Sequence, residues 1–169
     1  MTLSLVPISK GLQKAPFDCG YPVLNDYLRH YALKNDELLI GKTFVAIDEA
    51  HTVTGYITLS NAQIEATTLP DSIKAKLPRY PVPAFRIAKL AVDGKFQGAG
   101  VGSWLLHNAL QRALDISVSV GIFAVLVDAI DDKAKEFYLK YGFIPLQDHE
   151  LTLFLPLATI RKANEFPTP

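Results

Sequence analysis

The sequence predicts an α+β fold, with one mixed sheet and helices packed on its faces. Three observations carry this. Apolar stretches rich in branched and aromatic residues recur along the 169-residue chain, at 2–8, 42–48, 53–64, 85–92, 122–129, 143–147 and 151–157. Segments 23–35, 100–118 and 131–141 carry helical spacing or helix-end signals. Turn-forming residues separate the two kinds, so the order reads β-α-β-β-loop-β-α-β-α-β-β. No repeat, low-complexity stretch or linker interrupts it. A single domain is expected over residues 1–162, followed by a flexible tail at 163–169.

Each element has its own reason. TLSLVPI opens as a strand, and FDCGYP turns the chain into a helix from about Val23 to Asn35. Leu24, Tyr27, Leu28, Tyr31 and Ala32 form the apolar stripe of that helix. KTFVAID and VTGYITLSNAQI read as two strands of a hairpin joined through DEAHT. The prolines at 70, 78, 81 and 83 predict a loop with one helical turn at SIKAKL, because proline has no amide donor for a ladder. FRIAKLAV is the next strand. A helix from about Gly100 to Val118 follows, with Trp104, Leu105, Ala109 and Leu114 among its apolar positions. IFAVLVDA is apolar nearly throughout, as a strand covered on both faces should be. In DDKAKEFYLKYG, Asp131 or Asp132 can cap a short helix, and Gly142 lies just past its end. FIPLQ and LTLFLPL are the last strands.

Composition excludes several function classes. Seventeen basic and seventeen acidic residues give zero net charge, so bulk charge offers no support for nucleic-acid binding, and any such site must be a local patch. The single cysteine, Cys19, precludes an internal disulfide and suits a reducing cytoplasm. The run VSVGIFAVLV is too short to span a bilayer, and the N-terminus lacks the features of a signal peptide, so a cytoplasmic location away from membranes is expected. His30, His51, His107 and His149 lie scattered, without metal-ligand spacing, so no metal is expected.

The chemistry concentrates in FQGAGVGSWLL, residues 96–106. Gly98, Gly100 and Gly102 stand where a strand hands over to a helix. Glycine lets the backbone curl so that successive amides point one way. The first helical turn adds N–H groups without partners and a partial positive charge, and together these make a phosphate cradle. The alternative is tight packing of a helix start on a strand. A Walker loop is excluded, because Ser103 and Trp104, not Lys and Ser or Thr, follow the last glycine. The dinucleotide fingerprint is excluded by the glycine spacing.

Gln97-Gly98-Ala99-Gly100-Val101-Gly102 resembles the Q/R-x-x-G-x-G/A motif of the GNAT N-acetyltransferase superfamily. RIAKLAVD before it resembles that family's fourth strand. DAIDDKAKEFYLKYGF, about thirty residues later, resembles the end of its fifth strand and the helix after it. The resemblance implies a mostly antiparallel sheet splayed between strands four and five. It also implies acetyl-coenzyme A as the acyl donor. Gln97, Gly98, Ala99, Gly100, Val101, Gly102 and Ser103 would hold the diphosphate, mainly through backbone amides. Leu90, Ala91 and Val92 would line the pantetheine and thioester and supply an oxyanion donor. Asp131, Ala134 and Phe137 would belong to the helix that closes over the coenzyme. Tyr138 would be the general acid that protonates the departing thiolate; read from the residues alone, it is equally a core aromatic beside Phe137, Tyr141 and Phe143. Asp128 and Glu136 are candidate bases, with an ordered water as the alternative. Cys19 has no evident histidine partner and is disfavoured as a nucleophile.

The resemblance continues through FDCGYPVLNDYLRHYALKND, GYITLSNAQI, LPRYPVPAFRIAKLAVD and LTLFLPLATI, from about residue 3 to 162. These stretches are similar to the GNAT toxins of bacterial type II toxin–antitoxin systems. That branch implies acetylation of the amino group of charged tRNA, a ribbon-helix-helix antitoxin as partner, and a homodimer. Between residues 71 and 95, Lys74, Lys76, Arg79, Arg86, Lys89 and Lys95 outnumber Asp71 and Asp93, so this stretch is the candidate tRNA contact, with a solvated loop as the alternative; Arg86 would point at substrate or coenzyme phosphate or pair with a carboxylate in the sheet. The alternatives are a GNAT enzyme acting on a small amine, a polyamine or a protein N-terminus, and a non-catalytic acetyl-coenzyme A-binding protein.

Overall fold

The computed structural model describes residues 1–165. Seven strands form one sheet in the order β1-β2-β3-β4-β5-β7-β6. They are β1 (Ser4–Pro7), β2 (Lys42–Ile47), β3 (Val53–Ile64), β4 (Val82–Val92), β5 (Ala124–Asp128), β6 (Ile144–Leu146) and β7 (His149–Pro156). β1–β2, β2–β3, β5–β7 and β6–β7 pair antiparallel, whereas β4 and β5 pair parallel. The sheet is therefore mixed and mostly antiparallel, as expected.

Contacts gather the chain into two compact units. One comprises residues 1–60 and 87–109; the other comprises 61–86 and the chain from 110 onward. β3 and β4 each contribute residues to both units.

In the first unit, α1 (Pro22–Asp26) leads through a π turn at Tyr27–Tyr31 into α2 (Ala32–Glu37). The Ala32 N–H donates to the Tyr27 carbonyl, five residues back. That extra residue shifts the helical phase, so Leu28 and Ala32 are buried while Tyr31, expected on the inner face, is 57% exposed. Phe17, Leu28, Val45, Ile47, Tyr56 and Ala91 belong to one core cluster. The Tyr56 ring meets Phe17 edge-on at 5.7 Å, and its hydroxyl donates to the Leu24 carbonyl at 2.7 Å. The hydrophobic ring and its polar tip are thus both satisfied.

The helix α4 (Val101–Ser117) buries Val101, Leu105, Ala109 and Ala113 at four-residue spacing. Its first turns press on β3 at Gly55. A Cβ there would lie 2.8 Å from the Ala91 carbonyl oxygen, 3.0 Å from Leu105 Cδ1 and 3.4 Å from Val101 Cγ1.

In the second unit, Ile64, Leu69, Val82, Ala84, Leu126 and Phe154 cluster. Ala124, Val125, Leu126 and Val127 of β5 are all buried, which explains the unbroken apolar run. A helical turn, α3 (Asp71–Lys74), stands where SIKAKL predicts one. Two readings are corrected. Pro83 lies inside β4 rather than in a loop: it is an exposed second residue of the strand, and its carbonyl still accepts the Phe123 N–H at 2.9 Å. After β7 the chain forms a helix, α6 (Leu157–Glu165), which extends past the expected start of the tail at 163; residues 166–169 of that tail lie outside the described residues. Buried Leu157 and Ile160 anchor this helix. The short helix α5 (Asp132–Leu139) falls where the sequence places it. Among the described residues, no helix is long and apolar enough to cross a membrane.

The approach at Gly55 yields the first prediction. Gly55→Ala should destabilise the protein by about 1–3 kcal/mol, because the carbonyl it would strike belongs to a paired strand and cannot step aside. Urea unfolding measures this; an unchanged midpoint would mean that the helix start can shift freely.

Candidate active site

β4 ends at Val92, and the chain between it and α4 is tied at several points. The Asp93 N–H donates to the Thr54 carbonyl at 2.9 Å. The buried Asp93 carboxylate accepts the Lys95 N–H at 2.9 Å and the Asp18 N–H at 3.0 Å. The Gly94 N–H returns the connection to the Asp18 carbonyl at 2.8 Å. Asp18 is itself fixed: its carboxylate accepts from the Gly20 N–H and Asn25 Nδ2, each at 2.9 Å, and these bonds hold its pKa below the usual carboxylate range. The sequence reading missed this brace of Asp18, Asn25 and Asp93. The Asp-Gly pair at 93–94 was the available signal, since Asp favours turns through side-chain bonds to the backbone.

The Gln97 side-chain amide donates to the Val92 carbonyl at 2.9 Å and to the Cys19 carbonyl at 3.2 Å. Its side chain therefore clamps the strand end and the N-terminal loop, and only its backbone remains for an anion. Gly98 and Gly100 adopt φ of +81° and +85°, the left-handed region that glycine enters without strain. A Cβ at either would meet no atom within 4 Å. Close packing therefore does not explain these two glycines; backbone curvature does. The close-packing role falls instead to Gly55.

The helical ladder begins with the Trp104 N–H donating to the Gly100 carbonyl at 3.0 Å. The amides of Val101, Gly102 and Ser103 precede it, at the positive end of a 17-residue helix. An open turn, two left-handed glycines and these leading amides have the chemistry of an anion cradle. Leu90 and Val92 are partly buried, and Ala91 is buried in the core with Tyr56.

In the second unit, the Asp131 carboxylate accepts the Ala134 N–H at 2.9 Å and caps α5. Tyr138 on this helix is 5% exposed. Phe137 and Phe143 meet it edge-on, with ring centroids at 5.2 and 5.5 Å. Burial raises the phenol pKa above its ordinary 10.0, and the negative charge of Asp128 raises it further. The hydroxyl is thus a protonated donor at neutral pH. Gly142, at φ +87°, lets the chain turn after the helix.

Asp128, at the end of β5, pairs with Arg86 and accepts the Thr152 hydroxyl at 3.1 Å. Both oxygens are thereby engaged, which argues against a free general base there. Of the roles the sequence left open to Arg86, the structure shows the pairing with a carboxylate of the sheet. The other basic candidates differ among themselves. Lys74 pairs with Asp71 at 3.2 Å, Lys76 and Arg79 are exposed, and Lys89 sits 4.2 Å over the Tyr27 ring. Cys19 is buried, and burial raises its thiol pKa, which leaves it a poor nucleophile. Among the described residues, no group of three His, Cys, Asp or Glu side chains could hold a metal.

Comparison with known proteins agrees with this geometry. Residues 40–145 match the acetyltransferase (GNAT) domain. A tRNA-acetylating toxin of Mycobacterium tuberculosis is 36% identical over 136 residues, covering 80% of this chain and 81% of that protein. The structure of AtaT complexed with acetyl-methionyl-tRNAfMet superposes with a TM-score of 0.89 at 29% identity, covering 96% of this chain and 99% of that one. A mutant AtaT toxin bound to the C-terminus of the antitoxin AtaR and to acetyl-CoA superposes with a TM-score of 0.82 at 25% identity, covering 97% and 99%. Family model, relatives and fold agree, and this chain belongs to the GNAT acetyltransferase family.

Proposed function

We propose that this protein transfers an acetyl group from acetyl-coenzyme A to the α-amino group of aminoacyl-tRNA, and so blocks translation as the toxin of a toxin–antitoxin pair. The observation that carries the reading is the 36% identity, over four-fifths of both chains, to a tRNA-acetylating toxin. The AtaT complex with acetyl-methionyl-tRNA supports the acceptor. The AtaT complex with an antitoxin segment and acetyl-CoA supports the donor and the partner. In this reading residues 1–162 act as one catalytic domain, and the protein works in the cytoplasm as a homodimer.

The residues divide the chemistry. Amides from Gly98 to Ser103 bind the diphosphate, with Gln97 positioning them through its clamp. Leu90, Ala91 and Val92 line the thioester, and a backbone amide there stabilises charge on the carbonyl oxygen. Asp131, Ala134 and Phe137 bound the coenzyme from α5. Acetyl-coenzyme A supplies the acyl group as a thioester. The amine lone pair forms the new C–N bond, the C–S bond breaks, and Tyr138 donates its phenolic proton to the departing sulfur. The nitrogen releases its surplus proton to solvent, and Tyr138 takes one back from solvent, which restores the phenol.

Four outcomes test this. With radiolabelled acetyl-coenzyme A and bulk charged tRNA, label should appear on aminoacyl-tRNA; label only on small amines or protein N-termini would move the acceptor. Tyr138→Phe should lower kcat about 10²–10⁴-fold while leaving acetyl-coenzyme A affinity within about twofold. Unchanged turnover would remove Tyr138 as the acid. Because its pKa is raised above 10.0, no loss of rate below that pH should trace to its ionisation; a basic limb at lower pH that disappears in the Phe variant would contradict the assignment. Gly100→Val should weaken acetyl-coenzyme A binding, because valine disfavours the left-handed turn and its side chain enters the open face. Wild-type affinity measured by calorimetry would refute the cradle.

A further inference from the structure

The first unit holds a cationic cleft that the sequence alone does not reveal. The loop at 10–15 and the π turn of the first helix border a shallow, open depression of about 520 Å³, lined by Lys10, Leu12, Gln13, Lys14, Arg29 and His30 among others. No acidic side chain is among the lining residues. Arg29 is fixed in the wall, its Nε donating to the Lys14 carbonyl at 3.4 Å and its Nη2 to the Phe17 carbonyl. None of the ion pairs Lys42–Asp36, Lys74–Asp71 and Arg86–Asp128 involves Lys10, Lys14 or Arg29. The nearby carboxylate that acts on Arg29 is Asp18, whose Oδ1 accepts from the Gly20 N–H and from Asn25 Nδ2.

Three permanent positive charges thus share one concavity on a chain of zero net charge. Such a concentration repels itself in the free protein and is relieved by a polyanion. A concave wall with both fixed and flexible cations suits a chain of phosphates, since Arg supplies a rigid fork and Lys an adaptable point charge. A neighbouring cleft of about 450 Å³ shares Gly11, Leu12 and Gln13 with the first and is lined also by Asp93, Lys95 and Phe96, just before the Gln97–Gly102 turn; its carboxylate sets it apart from the cationic cleft.

We propose that the cleft formed by Lys10, Lys14, Arg29 and His30 binds the phosphodiester backbone of the RNA acceptor. The identity of that RNA rests on the tRNA reading above; the cleft rests on its own charge and shape. It transfers the main electrostatic contact away from the 74–89 stretch, where Lys74 and Arg86 are already paired.

The test compares full-length wild type, Lys10→Glu/Lys14→Glu, and a control with the same charge change on α6, Arg161→Glu/Lys162→Glu. Binding of deacylated bulk tRNA is read by filter retention across a salt series, and acetyl-coenzyme A binding by calorimetry. The cleft variant should lose at least about tenfold in tRNA affinity, and its log–log salt slope should fall by about two. Its acetyl-coenzyme A affinity should match wild type, and the control should bind tRNA nearly as wild type does. A tRNA affinity within twofold of wild type would overturn the proposal. So would an equal loss in the control, which marks a general charge effect, or a parallel loss of acetyl-coenzyme A affinity, which assigns the cleft to the coenzyme's phosphates. Wild type that binds tRNA at the cleft yet transfers no acetyl group would refute the function and leave the cleft standing.

Discussion

The first turns of α4 lie against β3 at a point where only hydrogen fits on Gly55, and the geometry of the turn between β4 and α4 follows from that contact. Ala91 presents its carbonyl from β4, and Val101 and Leu105 reach in from the helix. With the end of β4 and the start of α4 both held there, the connection between them has few paths. Asp93 and Gln97 select one by occupying backbone groups of Asp18, Cys19, Val92 and Lys95. The glycines at 98 and 100 then curl the last residues so that the leading amides of α4 come at the end of an open turn. Rigid neighbours thus fix the backbone of a segment rich in glycine.

Removal of water gives the second unit its chemistry. Tyr138 is packed among aromatic rings beside the charge of Asp128, and both features hold its proton in place. Asp128 tolerates that position because Arg86 and Thr152 satisfy its oxygens. Zero net charge across the chain thus conceals local order. Some cations neutralise named carboxylates, one lies on an aromatic face, and those around the loop at 10–15 remain available.

The mismatches between sequence and structure share a cause. Proline was read as excluding a strand, but Pro83 contributes its carbonyl, and its missing donor falls at an exposed strand end. Helical periodicity placed Tyr31 inside, and one extra residue in the π turn carries it out. Gln97 fits the motif by identity, yet its side chain serves the scaffold. The 71–95 stretch is basic by count, but a count does not show that Asp71 lies beside Lys74 or Asp128 beside Arg86. In each case the deciding partner is set by an atom's position rather than by residue type.

The sequence by itself determined most of the strands and helices, the strand–glycine–helix turn, a cap at Asp131 or Asp132 and the lack of metal spacing, because these depend on periodicity and on neighbours a few residues apart. Tertiary structure alone decided why Gly55 must be glycine, that Gly98 and Gly100 serve curvature rather than packing, and which cations are already neutralised. It also decided that Lys10, Lys14 and Arg29 share one cleft. Those facts rest on contacts between residues distant in the chain, and a hydrogen bond or ion pair exists only once folding has brought both partners to the same place.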